Sequence, residues 1–151
     1  MSEMSSVMDA ERVFIEHEHR EMAERIDRLH DVAAVVGTVS SAELSFALGG
    51  VLDWVKATWE PHAAWEEAWL YPRLDALTCT SLPSRLMRYE HGQIWDATHR
   101  LRNDQATLRH ELRHEEAVEL RGRMYALETL IRAHLDREEH LLLPMLDGTT
   151  A

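Results

Sequence analysis

The chain has 151 residues, a formal charge of −11 and a single cysteine, Cys79. That length is one domain's worth and can bury a substantial core without disulfides. One cysteine cannot form an internal bridge, and the start lacks the basic and apolar regions of a signal peptide, so a cytoplasmic setting is expected. No apolar run approaches the ~20 residues that span a bilayer, and the acidic balance opposes nucleic acid and anionic membrane. Small molecules, cations or other proteins are the expected partners, and the oligomeric state is left open.

Residues 1–8 are short and polar and are expected to be disordered. Asp9 is the expected N-cap of a first helix whose apolar seam reads Ile15, His19, Met22, Ile26, Leu29, Ala33 and Val36, stepping by four and three. Gly37 ends it. Ser40 with Glu43 makes a capping box that opens a second helix, with a seam of Leu48, Leu52, Val55, Trp59, His62, Glu66 and Trp69 and an expected end close to Pro72.

The stretch from Asp75 to Ser84 is rich in Ser, Thr and Pro and marks the central connection. A third helix follows, with seam Met87, His91, Ile94, Thr98, Leu101, Gln105 and Leu108. Its turn is expected near Arg109 to Arg113, although neither Gly nor Pro stands there. The fourth seam is Leu120, Met124, Leu127, Ile131, His134, Glu138, Leu141 and Met145. Four long helices with short connections predict an all-α fold, an antiparallel up-down-up-down four-helix bundle over residues 9–147, with 148–151 as a tail.

Two stretches repeat one pattern. His62 to Pro72 and His134 to Pro144 both read His-x-x-x-Glu-Glu, two residues, two bulky apolar or aromatic residues and Pro. They lie 72 residues apart (134 − 62), and the offset holds elsewhere: Glu18-His19 with Glu90-His91, Arg28-Leu29 with Arg100-Leu101, Leu48 with Leu120, Gly50 with Gly122. The bundle is therefore read as two copies of one helical hairpin. The matched glycines, inside helices, suggest a close helix approach or a kink.

In a helix, residues four apart share a face, so His62 with Glu66 and His134 with Glu138 each present a nitrogen and a carboxylate in one direction. His19 and His91 sit on neighbouring seams at matching heights. One layer of the core is thus expected to hold His19, His62, Glu66, His91, His134 and Glu138. Two unpaired buried carboxylates would cost several kcal/mol each, and no Lys or Arg occupies a seam next to them apart from Arg73. Metal ions are the natural counter-charge. Nitrogen with carboxylate oxygen suits iron, manganese or zinc, and six ligands exceed one tetrahedral site, which favours two metals bridged by the glutamates.

Glu67 and Glu139, one residue off the seams, are read as outer partners or solvated groups, with direct ligation as the alternative. His17, His30, His99, His110, His114 and His140 are read as surface residues. Trp59, Trp65, Trp69 and Trp95 fall within two turns of the ligands, as core packing or as a wall that restricts solvent.

At these residues the chain resembles the hemerythrin-like, or HHE cation-binding, family from about Asp9 to Asp147. The resemblance rests on Glu18-His19, His62 to Pro72, Glu90-His91 and His134 to Pro144. It implies a four-helix bundle holding two iron ions in a non-haem, oxo- or hydroxo-bridged centre, with activities spanning dioxygen binding, oxygen or iron sensing and reactions with peroxide or nitric oxide. Oxygen-carrying members place a fifth histidine four residues after the first on helix three, where this chain has Trp95, and an aspartate near the position of Glu138 and Glu139. Four core histidines predict a nearly symmetric, open centre that favours turnover of hydrogen peroxide, or reaction with dioxygen or nitric oxide, over oxygen storage. A sensor or carrier of dioxygen is the alternative, and a ferritin-like carboxylate site is disfavoured by the histidine-rich set.

Overall fold

The computed structural model describes residues 2–146, with side chains from Glu11 onward. The described residues are helical apart from short turns, without a strand, and form four long segments packed as a bundle. Helix α1 is Ser2–Ala34. Helix α2 covers residues 41–78, α3 is Leu82–Thr107, and α4 covers residues 114–146. Helix α1 packs on α2 and α4, α3 packs on α2 and α4, and the C-terminal parts of α2 and α4 also meet each other. No helix among the described residues is long and apolar enough to cross a membrane.

Local chemistry accounts for the ends. Gly37 takes φ +83°, a left-handed conformation that glycine enters freely, just beyond α1. Ser40 opens α2 with the capping box read from its spacing: Ser40 Oγ accepts from the Glu43 amide and Glu43 Oε2 accepts from the Ser40 amide. The turn between α3 and α4 falls where expected, at 108–113, and lacks glycine because side chains close it. Glu116 Oε2 accepts the Arg113 amide at 2.8 Å, Glu116 Oε1 accepts the Arg113 guanidinium at 2.9 Å, and Ser41 Oγ donates to the His110 carbonyl, joining the two turns.

The expected start of α1 is corrected: the helix already runs from Ser2, so Asp9 lies inside it and does not cap it. Met1 and the expected tail 148–151 lie outside the described residues. The seam of α1 is buried as read, from Ile15 to Val36.

The other departures share one cause. Helix α2 contains two π turns, Val55–Trp59 and Glu66–Leu70, and α4 contains one, Glu138–Leu142. Each is followed two residues later by a proline: Pro61, Pro72 and Pro144. Proline has no amide hydrogen for the carbonyl four residues back and its ring crowds that carbonyl, and a wider i→i+5 turn relieves both. Pro72 therefore does not end α2, which continues through Tyr71–Thr78.

Each extra residue rotates the following face by ~100°. Trp69 and Leu141, placed on the seams by regular spacing, stand 70% and 56% exposed, while Leu70, Tyr71, Leu142, Leu143 and Leu146 take the interior. Met145 is half-buried beside them. Trp95 is likewise exposed. The matched glycines Gly50 and Gly122 are not sites of close approach, since a Cβ at either would meet nothing within 4 Å; the crowded one is Gly49, where a Cβ would stand 2.5 Å from Gln105 Nε2.

Two apolar clusters result. The larger runs from Met22 on α1 through Trp59, Ile94 and Ile131 to the Gly37 end. The smaller gathers Ile15, Leu70, Tyr71, Leu74, Met87, Leu142, Leu143 and Leu146. On every helix the histidine or glutamate of interest falls between them, so one polar layer is sealed above and below by hydrocarbon.

Candidate metal centre

All six expected residues meet in that layer. His19, His62, Glu66, His91, His134 and Glu138 are each 7% exposed or less, and Glu66, Glu138 and His134 are fully buried. They form two overlapping groups, His19 with His62, Glu66 and Glu138, and His91 with His134, Glu66 and Glu138. Within each group the candidate ligand atoms lie within 4.8 Å of one another. Both glutamates belong to both groups.

The outer nitrogens explain how the rings are held. Nδ1 of His62 donates to Glu18 at 2.9 Å, Nδ1 of His91 to Glu67 at 2.8 Å, and Nδ1 of His134 to Glu90 at 2.9 Å. Nδ1 of His19 faces Glu139 at 3.5 Å, ion-pair range but too far from ideal for a hydrogen bond. A carboxylate acceptor keeps the proton on Nδ1 and leaves the Nε2 lone pair bare and inward, the arrangement that carboxylates give to metal-binding histidines. Glu67 and Glu139 are thus outer partners in this geometry. Glu18 and Glu90 do the same work for the other two rings, a role that the paired Glu-His dipeptides signalled without revealing.

The bare nitrogens crowd together. Nε2 of His19 lies 3.2 Å from Nε2 of His62, and Nε2 of His91 lies 3.1 Å from Nε2 of His134. His62 Nε2 stands 2.7 Å from Glu66 Oε1, yet Glu66 Oε1 and Glu138 Oε2 make no well-directed hydrogen bond. Lone pairs and carboxylate oxygens converging at such distances in a dry layer call for positive charge between them. Nearby cations do not supply it: Arg88 is paired with Glu67 and Arg137 with Glu90, outside the layer. The donor set fits divalent or trivalent cations with mixed nitrogen and oxygen preference.

Without such a cation the layer shares protons unevenly. Burial opposes ionisation of Glu66, but the close imidazoles of His19, His62 and His91 prevail and hold it well below the usual carboxylate range. Burial and the charge of Glu66 push Glu138 well above that range. His62, against its burial, is raised by Glu66 and Glu18, while burial lowers His134.

One group in the layer was not anticipated. The hydroxyl of Tyr71 lies 2.5 Å from Glu138 Oε1, 3.2 Å from His91 Nε2 and 3.4 Å from Glu66 Oε2. Burial and the two carboxylates hold this phenol firmly protonated. The residue 72 positions on is Leu143, so the expected near-symmetry of the centre is broken: the His91–His134 half has a hydroxyl and the other half does not. Regular spacing directed Tyr71 outward, and only the π turn at Glu66–Leu70 brings it in.

Of the tryptophans Trp59 stacks beside the ligands, its ring 5.4 to 6.2 Å from those of His62, His91 and His134, while Trp65 and Trp95 line the cavities that reach His62 and His91. The six other histidines are exposed, as expected. Three cavities reach the layer from outside: one of about 700 Å³ bordered by His19 and Glu139, one of about 460 Å³ by His62 and Glu18, and one of about 330 Å³ by His91 and Glu67. Each touches a ring and its outer carboxylate.

A helical protein with a buried histidine and glutamate layer able to hold cations is the class that fold and site define. The hemerythrin HHE cation-binding domain matches residues 12–146, and the chain belongs to that family. Comparison with curated proteins and with solved structures gave no match.

Proposed function

We propose that the chain is a diiron protein that reacts with small oxidants, hydrogen peroxide first, with dioxygen and nitric oxide as the other substrates of the same centre. In this reading His19 and His62 would hold one iron, His91 and His134 the other, and Glu66 and Glu138 would serve both. The supporting frame is an antiparallel bundle of two repeated hairpins. Residue pairs such as His30 with Glu128 and Asp27 with Arg132, whose numbers run in opposite senses on α1 and α4, favour that frame, as do the π turns starting at Glu66 and Glu138.

The observation that carries the reading is the four inward Nε2 atoms, three of them fixed by a carboxylate at Nδ1, around two carboxylates with no Lys or Arg among the described residues between them. Bound there, the ions supply Lewis acidity and electrons toward the oxidant. The residues do the rest. Trp59 and the two apolar clusters exclude water from the layer. Tyr71 donates a hydrogen bond to Glu138 and orients that carboxyl group. Glu139, a third exposed at the mouth of the cavity that reaches His19, is placed to exchange protons with solvent.

Metal content of untagged protein, purified without added metal, tests the reading. About two irons per chain are expected from six shared ligands. Metal-free protein that takes up no iron under anaerobic conditions while remaining helical would refute it. Dioxygen release from peroxide, two peroxides giving one dioxygen and two waters, then separates turnover from storage, and a stable reversible oxygen adduct with slow peroxide decay would reverse that ordering.

A further inference from the structure

A fourth cavity lies away from the polar layer. About 860 Å³ in volume, it runs along α2 from Ala42 to Trp54, with α1 on one side and Gln105 of α3 and the adjoining Leu108 on the other. That volume is within the ~300–1,000 Å³ range of small-molecule sites. Twelve residues of helix at ~1.5 Å each make it about 18 Å long. Its floor is open at Gly50, where a Cβ would touch nothing, and Phe46 on its rim is 86% exposed.

Its polar groups are unusual for this chain. Arg25 and Arg28, three apart on α1, border the cavity and have no hydrogen bond or ion pair among the described residues. By contrast Arg102 is tied to Asp53 at 3.0 Å, which neutralises the one carboxylate on the wall. Trp54, also on the wall, has its indole N–H buried without an acceptor. Arg25 also borders the neighbouring cavity beside Ala57 and Thr58, so it stands toward the Trp54 end, with Arg28 one turn further along α1 and the apolar lining toward Ala42 and Leu108.

We propose that this groove binds an aliphatic carboxylate, its head taken by Arg25 and Arg28 at the Trp54 end and its chain laid along Phe46 and Gly50 toward Leu108. A carboxylate suits the site because unpaired guanidiniums recognise planar two-oxygen anions, in a molecule whose net charge of −11 otherwise repels them. An extended chain suits it because the groove is long and apolar. Covering Phe46 removes apolar surface from water. The site is independent of the metal layer.

The test titrates isotope-labelled full-length protein with sodium decanoate and, in parallel, with 1-decanol, following amide resonances. Saturable shifts confined to residues 42–54, 105–108 and the Arg25–Arg28 turn are expected with decanoate. The double variant Arg25→Gln/Arg28→Gln should weaken decanoate at least about tenfold, a loss of about 1.4 kcal/mol, and leave decanol unchanged. Gly50→Leu, which fills the floor at an exposed helical position, should weaken both. Equal binding of decanoate and decanol by the native protein, or an undiminished decanoate affinity in the double variant, would overturn the proposal. So would shifts of the same amides on raising protein concentration alone, because a second copy would then be the occupant.

Discussion

Tyr71 donates a hydrogen bond to Glu138 across the core, from α2 to α4, at 2.5 Å. The two residues lie 67 positions apart on different helices, so this contact ties α2 to α4 at the polar layer. Replacing Tyr71 by Phe leaves a buried carboxyl without its donor. Loss of such a partner costs ~1–3 kcal/mol, and urea unfolding of the metal-free variant should register it. A change within the ~0.5 kcal/mol of an ordinary surface substitution would mean that the hydroxyl is dispensable.

The outer carboxylates should matter to metal retention without touching metal. Glu90 accepts from His134 Nδ1 at 2.9 Å and pairs with Arg137. Glu90→Gln should therefore weaken metal binding about 10- to 100-fold, read as faster loss of iron to a competing chelator at unchanged helicity. The same substitution at exposed Glu115 should leave retention unaltered.

The π turn in α4 makes neighbouring leucines inequivalent. Leu142 is buried in the smaller cluster and Leu141 is exposed. Leu142→Ala should cost about 2–5 kcal/mol through lost burial and a cavity, whereas Leu141→Ala should stay within ~0.5 kcal/mol. Thermal or denaturant unfolding distinguishes them, and the opposite ranking would mean that α4 continues in regular α register.

The cap of α4 gives a pH signature. Arg113 holds Glu116 at a pKa of about 2, against an ordinary 4.5, through the guanidinium hydrogen bond and then the backbone one. A carboxylate whose folded pKa is depressed contributes stability that is present above 4.5 and lost as pH falls from there toward about 2. Carbon-detected titration of the Glu116 carboxyl should give that low midpoint, and Arg113→Ala should move it upward. A midpoint near 4.5 in the native protein would show that the cap does not form in solution.

Much of this was legible in the order of residues. A spacing of four places a histidine and a glutamate on one helix face whatever surrounds the helix, and a 72-residue echo of that spacing made coincidence an inadequate account. The buried seam of α1, the Ser40–Glu43 box and all six residues of the polar layer follow from periodicity of about 3.6 and from capping chemistry, both properties of the chain over a few turns. His134 and Glu138 could be paired by inspection because no more than one turn separates them.

Tertiary structure decided what crosses between helices and what depends on helical register. Regular spacing aims Trp69 and Leu141 inward, but a single extra residue in each π turn turns them to solvent and brings in Tyr71 and Leu142. Pro72 was expected to end α2, yet the helix widens there and continues, packing Leu70, Tyr71 and Leu74 into the smaller cluster. The partnership of Glu18 with His62, and of Glu67 with His91, joins residues on different helices, and no local rule relates them. Spacing within a helix is set by the backbone, whereas which carboxylate meets which imidazole is set by how four helices close on one another.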